Sequence, residues 1–158
     1  MKKFNLHLYL VTDEASKCRY SLLETVRKAA DGGVTMVQYR STNPDAGTCY
    51  REALPIRDFL ASRGIPFIVN NRIDLALALE ADGVHIGQRD LPVPSVRAMI
   101  GPDKILGLFR GFFCRKGIGC DLQISLALKD TERGKKVFFF HNRYQIYLLI
   151  NCRRIKNA

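Results

Sequence analysis

No run of apolar residues approaches the roughly 20 that a helix needs to cross a membrane, so no segment reads as a transmembrane span. The first residues, Met1-Lys2-Lys3 followed by Phe4 to Val11, imitate a signal peptide only faintly. A small-residue cleavage site is missing, and Asp13 and Glu14 follow at once, so this stretch reads as a first strand. Cysteines are few and scattered: the five (Cys18, Cys49, Cys114, Cys120 and Cys152) form no paired framework, which points to a reducing cytoplasm. Cys114 and Cys120 are spaced too widely for the usual zinc-ligand pair. No Gly-x-Gly-x-x-Gly follows the first strand, which weighs against a dinucleotide-binding sheet. No Ser/His/Asp or Cys/His triad can be assembled, so catalysis through a protein nucleophile has no candidate. Acidic residues are also scarce, 15 against 25 Lys and Arg, for a net charge of +10. That imbalance is local. Residues 1–108 hold 14 basic and 12 acidic residues, whereas residues 109–158 hold 11 and 3. The basicity therefore belongs to the last third, and a nucleic-acid partner argued from the whole-chain charge is disfavoured.

What is present, over the first 107 residues, is an alternation of short apolar strands with helical patterns. Leu8 to Val11 is the first strand. Ser21 and Glu24 have capping-box spacing, and Leu22, Val26, Ala29 and Ala30 share one helical face that Gly32-Gly33 terminates. A strand follows over Val34–Gln38, then a helix over 49–62 in which Pro55 predicts a kink or a late start. Pro66–Val69 is a third strand, Asn71–Glu80 a short helix, Gly83–Ile86 a fourth strand, Ser95–Ile100 a helix remnant and Lys104–Leu108 a fifth strand. Strands separated by helices and not by hairpin turns imply parallel pairing through crossovers. An open doubly wound sheet and a closed barrel both satisfy that pattern, and in both the functional groups belong at the carboxyl ends of the strands. The polar residues follow that rule: Thr12-Asp13, Gln38 and Arg40, Asn70-Asn71, and Gln88 with Asp90.

After Leu108 the alternation fails. Residues 109–158 hold six of the nine phenylalanines and no proline. Only Leu122 to Leu128 and Tyr144 to Ile150 suggest any regular element. The chain is therefore expected to divide into residues 1–108, half of a barrel, and residues 109–158, a divergent basic tail. A poorly ordered aromatic extension and a reading-frame change near codon 109 are the two origins weighed for that tail.

Several stretches carry a family resemblance: Leu8-Tyr9-Leu10-Val11-Thr12-Asp13, Gly32 to Arg40 with its Gln-x-Arg element, Val69-Asn70-Asn71-Arg72-Ile73-Asp74, and Gly83-Val84-His85-Ile86-Gly87-Gln88-Arg89-Asp90-Leu91-Pro92. In order and spacing these resemble the first half of thiamine-phosphate synthases, over about 100 residues. The resemblance implies an α/β fold of the parallel (β/α) TIM-barrel type, here truncated after about five strands and unable to close an eight-stranded barrel. It implies an enzyme of thiamine biosynthesis, a transferase that couples a pyrimidine methyl diphosphate to a thiazole phosphate with Mg2+ and releases diphosphate. By the same resemblance Gln38, Arg40, Thr42 and Asn70 would bind substrate, and Asp90 and Asn71 would hold the metal. Departures accompany the matches. Thr42 stands where the family has a lysine, Asn71 where it has a second metal-binding aspartate, and Phe109 where it has a serine. The later phosphate loops have no recognisable counterpart. Small-molecule substrates and a cytoplasmic location follow from the resemblance, and a homo-oligomer is left open. A thiazole-tautomerase-like barrel and a non-catalytic basic binding module are the alternatives. His85 reads as a packed core or rim histidine. Asp74 reads as a helix residue with a structural role in preference to a metal ligand, for which it stays a weak candidate.

Overall fold

The computed structural model describes residues 5–12, 20–109 and 124–125. Its elements alternate: β1 (Tyr9–Val11), α1 (Leu22–Asp31), β2 (Met36–Tyr39), α2 (Ala46–Ser62), β3 (Phe67–Asn70), α3 (Ile73–Ala78), β4 (Gly83–Ile86), α4 (Val93–Ile100) and β5 (Ile105–Phe109), followed by a two-residue strand β6 (Ile124–Ser125). The sheet order is β1-β2-β3-β4-β5-β6. The first five strands pair in parallel, each with its sequence neighbour, whereas β6 joins β5 antiparallel. Among the described residues the sheet does not close on itself. The antiparallel strand lies within the stretch 122–128, one of the two in the last third that suggest a regular element in the sequence.

Local chemistry accounts for most element ends. Ser21 caps α1 by accepting the Glu24 backbone N–H at 3.2 Å, and Gly33, at φ 93°, supplies the left-handed turn that leads into β2. The second helix departs from expectation. It starts at Ala46, capped by Asp45, whose carboxylate accepts the Gly47 N–H at 3.0 Å, and it runs unbroken through Pro55. Proline removes the bond to the Arg51 carbonyl. Cys49, Ala53, Ile56 and Leu60, all buried on one face, hold the helix against the sheet in spite of that loss. The third helix is shorter than the sequence pattern, because Asn71 takes a left-handed backbone (φ 60°) and so cannot be helical. α4 begins two residues early, at Val93, immediately after Pro92.

Both faces of the parallel strands are buried, which is why they read as continuous apolar runs. On one face Leu10, Val37, Phe67, Val69, Val84 and Leu106 pack under the helices. On the other, Tyr9, Met36, Ile68 and Ile105 form a second, smaller cluster. This second face carries the site. Side chains two residues further along each strand point the same way, so the rung above Met36, Ile68, Gly83 and Ile105 consists of Gln38, Asn70, His85 and Gly107.

Candidate functional site at the carboxyl ends of β2 to β5

A polar layer thus sits directly on an apolar one, at the end of the sheet where α/β proteins bind ligands. Gln38 is 3% exposed. Burying its amide without partners would cost a few kcal/mol, and the partner is Asn70: Gln38 Nε2 donates to Asn70 Oδ1 at 2.8 Å. The bond joins β2 to β3 and consumes one end of each amide. The remaining groups of the pair are Gln38 Oε1, an acceptor, and Asn70 Nδ2, a donor that has the Asn71 amide 3.3 Å away.

Asn71 follows with its left-handed backbone, a region in which Asn and Asp are the best tolerated residues after glycine. Its N–H donates to the His85 carbonyl at 2.8 Å and so extends the β3–β4 ladder by one bond. The hydrogen-bond network assigns its side-chain amide with Nδ2 toward Asp90 Oδ2 (3.0 Å) and the His85 carbonyl (3.3 Å). Asp90 lies in the turn after β4, and its Oδ2 also accepts the Gly87 N–H at 2.6 Å. Neither asparagine caps α3, whose N-cap position is Arg72 with no side-chain cap bond. Asp90 does not act as a helix cap either, since its bond closes its own turn. Asp74 is paired with Arg72, Oδ2 lying 2.6 Å from Nη2, and that hydrogen bond holds its carboxyl below the usual range.

His85 lies on the inner face, 7% exposed. Burial pushes its pKa down to about 4, with Asp90 acting weakly in the opposite direction, so the imidazole is neutral near pH 7. Its Nε2 is buried without a hydrogen-bond partner. The ring lies across Gly107 so closely that a Cβ there would come within 2.5 Å of His85 Cδ2. Gly107, which the resemblance marks only as part of the opening of the fifth strand in Ile105-Leu106-Gly107, is therefore a site residue as well. Its role comes from a contact between strands, which no stretch of sequence displays. Thr12 was legible only as a polar strand end. Its Oγ1 accepts the Arg40 N–H at 3.0 Å, which ties the ends of β1 and β2 together.

Arg40 and Thr42 complete the expected set. Both are exposed and follow β2 into the loop before α2. Hydrogen bonds among the described residues thus join Gln38 with Asn70, and Asn71 with Asp90 and the His85 backbone, and they tie Arg40 to Thr12 through the Arg40 backbone. Among the described residues no group of three or more His, Cys, Asp or Glu side chains could hold a metal ion. None of the described helices is long and apolar enough to cross a membrane.

Comparison with known proteins places this geometry in a family. The profile described as thiamine monophosphate synthase matches residues 8–109. A thiamine-phosphate synthase of Desulfitobacterium hafniense is 49% identical over 100 residues, covering 63% of this chain and 48% of the relative. One from Vibrio campbellii is 48% identical over 101 residues, covering 64% and 49%. Among solved structures, a thiamine phosphate pyrophosphorylase from Pyrococcus furiosus superposes with a TM-score of 0.59 at 34% identity, over 65% of this chain and 49% of that one. The chain spans about half the length of the curated relatives it matches.

Proposed function

The chain belongs to the thiamine monophosphate synthase family through residues 8–109, and from that premise we propose that its site serves thiamine-phosphate synthesis, by binding a pyrimidine methyl diphosphate for coupling to a thiazole phosphate. The observation that carries this reading is the pair of contacts linking successive strand ends: Gln38 to Asn70 at 2.8 Å and Asn71 to Asp90 at 3.0 Å. Gln38 Oε1 and Asn70 Nδ2 offer an acceptor and a donor to the edge of a heteroaromatic ring. The neutral His85, with its unpartnered Nε2, adds a third polar group on the same face. Filling that vacancy offsets the roughly 1–3 kcal/mol that an unmet buried polar atom costs. Arg40, with its fork of donors, suits a diphosphate, and the Thr42 hydroxyl can add a hydrogen bond to it but no charge.

Mg2+ fits the site as a ligand of Asp90 and Asn71, because a carboxylate and an amide carbonyl are both oxygen donors of the kind hard cations take. When bound, the cation neutralises charge on the departing diphosphate. The protein's own residues hold the pyrimidine and the diphosphate in one orientation, and no protein nucleophile is required. Residues 1–108 are assigned to this barrel half and residues 109–158 to a segment of separate, basic character; a cytoplasmic location belongs to the same proposal. The test is calorimetric titration of the purified chain with the pyrimidine diphosphate and Mg2+, alongside an assay for thiamine phosphate. Binding that weakens at least about tenfold in Gln38→Ala and Asn70→Ala supports the reading. A chain that binds the pyrimidine diphosphate no better than inorganic diphosphate refutes it.

A further inference from the structure

The atom of the Asn71 amide that faces Asp90 stands 3.0 Å from Oδ2, 3.3 Å from the His85 carbonyl and 3.3 Å from Asn70 Nδ2. With nitrogen in that place, the contact is a hydrogen bond that satisfies a carboxylate in the absence of any cation. With oxygen there, Asn70 Nδ2 can donate to it, but the oxygen also faces the Asp90 carboxylate and the His85 carbonyl, two acceptors that repel it unless a cation joins them. Neighbouring ligand atoms of an octahedral Mg2+ with bonds of ~2.0–2.1 Å lie ~2.9–3.0 Å apart. The same separation therefore suits both states, and a half-turn of the terminal amide interconverts them. Rotation about that torsion is soft and nearly two-fold, so no backbone movement is needed.

We propose that Asn71 is a two-position latch: in the cation-free protein its Nδ2 hydrogen-bonds Asp90 and closes the cation site, and divalent-cation binding turns its Oδ1 inward. The inference rests on the reading of Asp90 and Asn71 as the cation pair. An aspartate at this position could not make the closing bond. Two carboxylates at this distance repel each other without a cation, whereas the asparagine site is at ease when empty. The chain gives up cation affinity and gains a site that is stable when vacant. The left-handed backbone at Asn71 admits aspartate as well as asparagine, so Asn71→Asp tests the latch without disturbing the turn.

The experiment uses the full chain. In isotope-labelled protein, the Asn71 side-chain amide is identified by its loss in Asn71→Asp. One Nδ2 proton should resonate downfield in metal-free buffer, as a carboxylate-bonded proton does, and should lose that shift as Mg2+ is added. In parallel, Asn71→Asp should bind Mn2+ at least about tenfold tighter than wild type, because it adds a charged ligand. Without metal it should melt at a lower temperature than wild type, and Mn2+ should reverse the order. The proposal is overturned by an Asn71 amide that does not respond to saturating Mg2+, by equal Mn2+ affinity in the two proteins, or by a wild-type chain that binds no divalent cation. Failure of the functional reading looks different: the resonance would shift with Mg2+ while the pyrimidine diphosphate did not bind.

Discussion

At the scale of single residues, His85 and Gly107 are the most exposing pair. A histidine whose pKa falls to about 4 in the fold, against roughly 6.5 when unfolded, binds its proton more readily in the unfolded chain. Stability is therefore full above pH ~6.5 and is lost as pH falls toward 4. At ~1.4 kcal/mol per pH unit the loss is about 3 kcal/mol. Urea unfolding of the metal-free protein between pH 7.5 and 4.5 should show that slope, and His85→Asn should flatten it; parallel curves for the two proteins would mean that His85 is not the group responsible. Gly107 supplies the space. Gly107→Ala brings a methyl to within 2.5 Å of the imidazole and should cost about 1–3 kcal/mol as overpacking. The cost should shrink in His85→Ala/Gly107→Ala, because the two residues are in contact and their effects are not additive. An additive double mutant would refute the close contact.

At the scale of elements, α2 shows how tertiary packing overrides a local rule. Proline at position 55 argued for a helix beginning late or bending, yet the helix begins early, at Ala46, and continues through it. Four buried side chains on one face outweigh one absent hydrogen bond. Because Pro55 itself is exposed, replacing it should restore the bond to Arg51 without opening a cavity. Pro55→Ala is expected to stabilise the protein by about 1–3 kcal/mol, within the cost assigned to an interior helical proline. Thermal melts would register this as a rise of several degrees; an unchanged or lower melting temperature would indicate that Pro55 packs in a way alanine cannot. The short α3 makes the complementary point. Its pattern suggested a helix from Asn71, but Asn71 is spent on the left-handed turn that aims its amide at Asp90. There the demands of the site take precedence over helix length.

At the scale of the whole molecule, five parallel strands form one sheet, the polar side chains Gln38, Asn70 and His85 share one rung of it on β2, β3 and β4, and the family match stops with the fifth strand. In (β/α) barrels a phosphate site is commonly built from loops after the later strands. Under the proposed reading, the described residues supply groups for one substrate and its leaving group, but none identified for the second. Coupling by this chain should accordingly be weak or undetectable at saturating substrates, and Asn71→Asp with Thr42→Lys should raise it without restoring it fully. Each substitution returns an electrostatic contact worth ~2–4 kcal/mol, or roughly 10²–10³ in rate. Neither positions the thiazole nitrogen, and positioning can be the larger share. Side-by-side assays of the two proteins decide the matter. Family-like turnover by the unmodified chain would mean that residues 109–158, or a partner, provide the missing contacts.

The order and type of the first nine elements, and the placement of polar residues at strand ends, were legible from the sequence. Strand period, helical period and capping are local, and each is written within a few neighbouring residues. The proposal of Gln38, Arg40, Asn70, Asn71 and Asp90 as a set also came from the sequence, through motif resemblance. What remained to tertiary structure were relations between strands. These include the inward rung that puts Gln38 against Asn70, the 3.0 Å approach of Asn71 to Asp90, the imidazole lying over Gly107, and the helix carried through Pro55. The sixth strand, antiparallel to the fifth, is also of this kind. Such features depend on register and on which faces meet, and those are fixed by packing the whole sheet and not by any window of the chain.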